Sequence, residues 1–220
     1  MPSDCLKSSA LRMTGGTLSE ALPLLRAHHY LKDRTADPMH VFLWRTTGGL
    51  FGDTGDAVAA VLYAAPANRY FGQGAAELTR LVRSPDLDLP LSSFVAWSLR
   101  WLKANSDLAY VLSYADPSAG HHGGIYQALG FDYVGVSNGN VYHVNPLTGE
   151  RVSGRSFDQR RPEFRQGWER VRSSGKHLYI RALNERRAKL LARFGWQPLP
   201  YPKPAKHEEG RLLIAGAPKR

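Results

Sequence analysis

The sequence predicts a mixed α/β fold, a central sheet flanked by helices and followed by a basic C-terminal extension. Short apolar runs rich in β-branched and aromatic residues recur between glycine- and proline-containing breaks, at residues 40–44, 57–63 and 111–115. That is the pattern of buried strands. Two other stretches carry apolar side chains at helical spacing. The longer of them falls between two strand patterns, an order that calls for a right-handed crossover joining parallel neighbours.

The first helix is expected over residues 18–31, with Leu18, Ala21, Leu22 and Leu25 on one face and Thr17 or Ser19 as its cap. Pro23 is tolerated only in a first turn, so the helix is predicted to start a few residues after the pattern does. Its end carries His28, His29 and Tyr30. Strands follow at 40–44 and 57–63, joined by a turn at the glycine-rich residues 48–53. Residues 66–74 form a loop that offers Asn68, Arg69, Tyr70 and Phe71 to a ligand. A third strand at 77–82 is broken by Ser84-Pro85. After Pro90, Ser92 or Ser93 can cap an amphipathic helix that presents Phe94, Trp97, Leu99, Trp101 and Leu102.

The rest of the chain is arranged around residues 111–135. The strand 111–115 stops at Asp116-Pro117, because proline brings no N–H to a ladder. A polar loop with His121 and His122 leads into a short helix, about 121–129, that Gly130 ends, and Phe131 opens the next strand. A strand, a polar loop and a glycine-stopped helix commonly line a small-molecule crevice at a strand's carboxyl end. Beyond Asn138-Gly139, residues 141–144 read as a strand and 145–149 as a turn. Residues 151–175 are arginine-rich, with Phe157, Phe164 and Trp168 as the large anchors. A strand at 176–182 and a basic helix from Glu185 to Phe194, capped by Asn184, precede a proline-rich tail.

With 220 residues and abundant aromatic side chains, the chain can bury a sizeable core. The single cysteine, Cys5, excludes a disulfide framework and a cysteine zinc site. No apolar run spans a bilayer, so no membrane partner and a reducing cytoplasm are expected. Charge is divided unevenly: residues 1–150 hold 11 Lys and Arg against 13 Asp and Glu, and residues 151–220 hold 18 against 6. The whole cationic excess lies in the last third, where arginine is interleaved with aromatic residues. That mixture suits phosphates and stacked bases, which puts nucleic acid ahead of an acidic membrane or a merely solvated basic helix.

The string Ile125-Tyr126-Gln127-Ala128-Leu129-Gly130-Phe131 resembles the tyrosine-to-Gly-Phe helix end of the GNAT acyltransferase superfamily. The longer run from Ser113-Tyr114-Ala115-Asp116 through His121 to Tyr126-Gln127 is similar to the Mom family of bacteriophage DNA-modification proteins, which sit on a GNAT-like fold. The strand 176–182, the basic helix and Leu199-Pro200-Tyr201-Pro202-Lys203 resemble that family's C-terminal region. The likeness runs from about residue 20 to 205. It implies a GNAT-like catalytic core over 1–150 and a basic region over 151–220 that completes the sheet and contacts DNA through Arg160, Arg161, Arg165, Lys176, Arg186, Arg187 and Lys189.

The resemblance also implies a catalytic set: His29, Tyr30, Arg80, Ser93, Asp116 and Tyr126. Each has a plainer reading. Arg80 can form an ordinary ion pair, Ser93 can be a helix cap, Asp116 can close an Asx turn, and Tyr126 can be a packed ring. Neighbours on a helix point about 100° apart, so His28 and His29 rarely enter one site together, and His29 is chosen by family position. With Asp116, Tyr30 or Tyr126, the set His29, Asp116 and Tyr126 being the one chosen, it would make a mixed N/O metal site suited to the iron that the resemblance implies for some members. One departure stands out. CoA-dependent GNAT enzymes carry a glycine-rich pyrophosphate cradle before the long helix, whereas this chain has Arg83-Ser84-Pro85-Asp86-Leu87-Asp88-Leu89-Pro90. An acidic, donor-poor turn argues against ordinary acetyl-CoA use.

The implied activity converts adenine to N6-carbamoylmethyladenine in double-stranded phage DNA, inside the cytoplasm of an infected bacterium, and shields that DNA from restriction. Asp116 or a histidine would assist the N6 proton, Tyr126 donor activation, and Arg80 a charged group. Tyr30, Tyr70 or Phe71 would hold the extruded base. The two-carbon donor and the oligomeric state are left open. Two rivals stand beside it: a CoA-dependent N-acyltransferase of small molecules or proteins, and a non-catalytic DNA-binding protein on a GNAT-like scaffold.

Overall fold

The computed structural model describes residues 11–32, 35–47 and 54–203, so the expected glycine turn at 48–53 lies outside the described residues. A seven-stranded sheet runs in the order β1-β2-β3-β4-β5-β10-β6, with strands β1 (Leu11–Gly16), β2 (Pro38–Thr47), β3 (Thr54–Ala64), β4 (Ala75–Arg83), β5 (Tyr110–Ala115), β6 (Asp132–Val136) and β10 (His177–Ala182). The β4–β5 pair is parallel and the others are antiparallel. Helix α2 (Leu91–Asn105) makes the crossover between that pair, as the element order required. The expected mixed sheet flanked by helices is therefore present.

Strand β1 was not expected. Its sequence, LRMTGG, alternates only over Leu11–Thr14 before two glycines, too short a signal to read, and it is specified by edge pairing with β2 and by Leu11 and Met13 packing on the core. Helix α1 (Leu18–His28) starts where the apolar pattern starts, which corrects the later start inferred from Pro23. Thr17 accepts from the Glu20 N–H while Glu20 reaches back to the Thr17 N–H, and this capping box fixes the first turn with Pro23 inside the helix. Ala21, Leu24 and Leu25 then pack on Leu43, Ala60 and Leu62. Helix α2 is likewise capped differently. Pro90 takes the cap position, Ser93 lies in the first turn, and its hydroxyl donates to the Pro90 carbonyl.

The arginine-rich segment forms a second sheet, β8-β7-β9, from β7 (Val141–Val144), β8 (Arg151–Ser153) and β9 (Glu169–Arg172), with α4 (Gly154–Asp158) beside it. His143 on β7 stacks on Phe157 of α4 at 3.7 Å. This sheet straddles residue 150. The chain then returns to the main sheet as β10, inserted between β5 and β6. Helix α5 (Arg187–Phe194) buries Leu190 and Leu191 against Tyr110, Leu112 and Ile180. Asn184 does not cap it. Its carboxamide donates instead to the carbonyls of Ser106 and Leu108. Helix α3 (Gly124–Ala128) is shorter than expected and is preceded by a 3-10 turn at Pro117–Ala119.

Candidate active site

The parallel strands β4 and β5 are paired from Ala75 opposite Tyr110 to Leu78 opposite Ser113, and no further. On the other edge of β4 the register with β3 slips between Leu62 and Tyr63, leaving Thr79 as the extra residue. A bulge of this kind bends its strand and re-aims the side chains that follow. Past Leu78 the two strands diverge, and a cavity of about 430 Å³ fills the gap. His29 and Tyr30 reach it from the end of α1, Tyr114 and Asp116 from β5, His121 and His122 from the loop, and Tyr126 from α3. Four of the six expected catalytic residues, His29, Tyr30, Asp116 and Tyr126, thus line one cavity.

Arg80 stands beside it. Its Nη1 donates to the Thr79 carbonyl at 2.6 Å, and its charge acts on His29 and Tyr30. Burial disfavours the Arg80 cation, while Tyr30 and Glu77 support it. Ser93 is not brought in. It is exposed on α2, with its hydroxyl tied to Pro90.

His29 is held neutral. Burial, then Arg80 and His121, push its pKa down to about 4. Its Nδ1 accepts from the Leu31 N–H at 3.1 Å, so the proton of the neutral ring is on Nε2. His29 therefore presents an N–H donor and is not a base. Tyr30 is 54 % exposed, lies against His29 at 4.8 Å between ring centres, and meets His121 at 5.7 Å.

Asp116 closes the Asx turn that was its plainer reading: Oδ1 accepts from the Ser118 N–H and hydroxyl at 3.0 and 2.6 Å. Its Oδ2 lies 3.3 Å from Lys176 Nζ. Burial alone would raise this carboxyl, but the Ser118 hydroxyl, Lys176 and the Ser118 N–H together hold it below the usual range. Tyr126 is buried, with its hydroxyl 2.8 Å from Ser113 Oγ, which in turn lies 2.9 Å from the Leu78 carbonyl. Serine has one proton to give, so when it serves Leu78 it accepts from Tyr126. Burial pushes the Tyr126 pKa up to about 12, and the phenol stays protonated.

These states do not suit iron. With Nδ1 taking the Leu31 N–H, the His29 nitrogen left for the cavity carries the proton, and Asp116 is engaged by Ser118 and Lys176. Among the described residues, no group of three or more His, Cys, Asp or Glu side chains is placed to hold a metal ion. The structure thus gives no support to the expected iron set of His29, Asp116 and Tyr126.

The turn before α2 is poorly suited to pyrophosphate. The N–H groups of Ser84, Asp86 and Leu87 donate to the Val58 carbonyl, the Ser84 hydroxyl and the Ser84 carbonyl, and Pro85 and Pro90 have none. The Arg83 guanidinium is spent on the carbonyls of Leu87 and Leu89. Cradling a phosphate needs free, converging N–H groups.

The expected DNA-contact residues divide. Arg187 makes a bidentate pair with Asp132 at 2.8 and 2.6 Å, Arg160 pairs with Glu150 and lies over the Trp168 ring, and Lys189 faces Glu185. Lys176 is committed to Asp116, and Arg165 bonds the carbonyls of Asp158 and Arg160. Arg161 and Arg186 are exposed and outside the ion pairs seen among the described residues, as are Arg170 and Arg172 on β9, which the sequence reading did not single out. Phe71, one of the rings expected to hold a base, is a core residue packed against Phe194 and Trp196. Ser113 and the counter-charge role of Lys176 were also missed. A serine inside an otherwise apolar strand was the available signal.

The fold and its splayed cavity are GNAT-like. The chain matches the model of the Mom protein family over residues 11–203. It belongs to the Mom family. No curated protein matches it. Solved structures similar to it include the ribosomal-protein-alanine N-acetyltransferase of Escherichia coli, at 9% identity and a TM-score of 0.47, covering 80% of this chain and 96% of that one. The spermidine N-acetyltransferase of Vibrio cholerae, solved with CoA and spermine, has 11% identity and a TM-score of 0.46, covering 81% and 98%. An acetyltransferase of Bacillus subtilis, solved with CoA, has 13% identity and a TM-score of 0.44, covering 79% and 99%. Among the described residues no helix is long and apolar enough to cross a membrane.

Proposed function

We propose that this Mom-family protein modifies the exocyclic N6 amine of adenine in double-stranded DNA, adding a carbamoylmethyl group that protects phage DNA from restriction. The observation that carries the reading is the cavity in the β4–β5 splay. Three separate elements bring a neutral imidazole donor, an ionised carboxylate and a protonated phenol to it, while the turn before α2 has three of its N–H groups engaged and prolines at two further positions. Membership in the Mom family supports this choice of acceptor.

The N6 lone pair is delocalised into the purine ring, so the amine is a weak nucleophile and the adenine must leave the stack to be reached. As N6 bonds to the donor's methylene carbon, the bond from that carbon to the rest of the donor breaks with its electron pair on the departing group, and Asp116, held ionised at the cavity edge, accepts the N6 proton. The Nε2–H of His29 donates to charge that develops on the donor. Tyr126, still protonated at neutral pH, is the acid on the cavity floor, and Arg80 orients an anionic group. Tyr30 and His121 make an aromatic rim.

The test is to express the chain in bacteria, hydrolyse their DNA to nucleosides and search by mass spectrometry for a deoxyadenosine heavier by the carbamoylmethyl group. The species is expected with the native chain and lost in Asp116→Ala with DNA binding retained. Unaltered nucleosides from cells making the folded protein would overturn the reading.

A further inference from the structure

A second hollow, of about 580 Å³, lies on the other side of Tyr114, which lines both cavities. Its walls are Asn68 and Tyr70 at the 3-10 turn Arg69–Phe71, Trp196 after α5, and the segments 136–140 and 173–176. Those two segments lead into and out of the small arginine-bearing sheet. Glu77 opens into the hollow one residue before the splay begins, and its carboxyl receives the Ala67 N–H. The carboxamides of Asn138 and Asn140 make no hydrogen bond among the described residues, and Tyr70 is 59 % exposed. Of these side chains, the chemistry assigned above uses only Lys176, and that only through Asp116.

We propose that this hollow receives the extruded adenine, with Tyr70 and Trp196 as its apolar walls and Glu77 and the Asn138 and Asn140 carboxamides reading its polar edge, and that the cavity beside His29 takes the donor. The inference rests on the reading of the protein as an adenine-modifying enzyme. Volume, chemistry and location agree. The volume falls within the range of small-molecule sites, about 300–1,000 Å³. Adenine's edge offers an amine donor beside ring-nitrogen acceptors, and a carboxylate with carboxamides supplies the complementary acceptor and donors. Guanine would set its O6 carbonyl against the Glu77 carboxylate, two acceptors face to face, so the same groups discriminate by repulsion. Burial pushes the Glu77 carboxyl up, opposed by the Ala67 N–H, Arg80 and Lys176, and an incoming N–H donor would relieve that burial. A strand gripped by Arg170 and Arg172 on β9 lies next along the chain to Ser173 and Lys176, which line the hollow. Tyr114 lines both cavities and Lys176 of the hollow lies 3.3 Å from Asp116 of the other, so base and donor meet at this shared wall, beside Asp116.

Titration of the full chain with free deoxyadenosine and deoxyguanosine at millimolar concentrations, followed by ligand-observed NMR, tests this. Deoxyadenosine is expected to bind at least tenfold tighter than deoxyguanosine. Glu77→Gln, an isosteric change, and Asn138→Ala, at an exposed position, should each weaken deoxyadenosine several-fold with the fold intact by circular dichroism. Equal binding of the two nucleosides, no binding by the native chain, or loss in His29→Ala with both hollow variants unaffected would overturn it. Nucleoside mass spectrometry of cellular DNA reports the modification whichever cavity holds the base, so the two readings fail separately.

Discussion

Lys176 Nζ lies 3.3 Å from Asp116 Oδ2, so the last strand to enter the main sheet is preceded by the counter-charge for the cavity's carboxylate. Lys176 was expected to grip DNA phosphate, yet its ammonium faces inward to Asp116 and also acts on Glu77. Lys176→Met should therefore move the acid limb of the pH–rate profile upward. The Asp116 carboxyl is depressed in the folded protein, so its anion persists to lower pH than an ordinary aspartate and is lost as pH falls through the folded value. Without Lys176 that loss begins at higher pH. Salt dependence of DNA binding, measured in parallel, should hardly change.

His29 gives a second prediction with the opposite ionic logic. Its pKa, lowered to about 4 from an ordinary 6.5, keeps the ring neutral through the physiological range. The stability this neutral state contributes is complete above the unfolded value and is lost as pH falls through the folded one, because the unfolded chain takes up the proton first. NMR titration should find one imidazole with a midpoint near 4 that moves only part of the way toward the ordinary value in Arg80→Met with His121→Ala, because burial, the largest cause, remains. For turnover, His29→Ala should lose about 10²–10³-fold, the usual effect of removing one aimed donor. His29→Gln, whose amide can place an N–H near Nε2, should recover part of it.

The elements that were legible in the sequence are those whose signals are local. Asp116-Pro117 ends β5 and Gly130 stops the short helix, both through neighbours a few residues away, whereas the start of α1 was placed too late because the Thr17–Glu20 capping box that overrides Pro23 was not read. Gathering His29, Tyr30, Asp116 and Tyr126 was legible by family resemblance, since periodicity alone places three of them on unconnected elements. Strand β9, Glu-Arg-Val-Arg, is exposed throughout and has no buried face to advertise. The ion pairs that occupy Arg160, Lys176 and Arg187 join residues 10, 60 and 55 positions apart and follow from the tertiary path. The His29 tautomer hangs on one backbone N–H two residues on, which no residue-type pattern encodes.

Gly123 separates stability from chemistry at the cavity edge. Its φ is +84°, and a Cβ there would overlap the Tyr179 ring, whose hydroxyl donates to the neighbouring His122 carbonyl at 2.6 Å. Gly123→Ala combines a left-handed backbone penalty of about 1–2 kcal/mol with overpacking of about 1–3 kcal/mol. Chemical denaturation should show a loss of roughly 3 kcal/mol. Gly120, also at positive φ but with open space around a built Cβ, should lose only the backbone part.

The grip on DNA should be found on arginines that the protein has not already used. Arg187 is held in a two-point pair by Asp132, and breaking it should cost about 0.5–1 kcal/mol of stability, within the range for partly exposed pairs, with little effect on DNA. Arg170 and Arg172 stand exposed on β9 with no acidic partner among the described residues. Each phosphate contact releases counterions, so the logarithm of affinity falls against the logarithm of salt with a slope of about 0.9 per contact. The double change Arg170→Ala with Arg172→Ala should therefore flatten that slope by nearly two and weaken all duplexes alike. A slope unmoved by the double change but flattened in Arg187→Ala would place the DNA on the face of α5 instead.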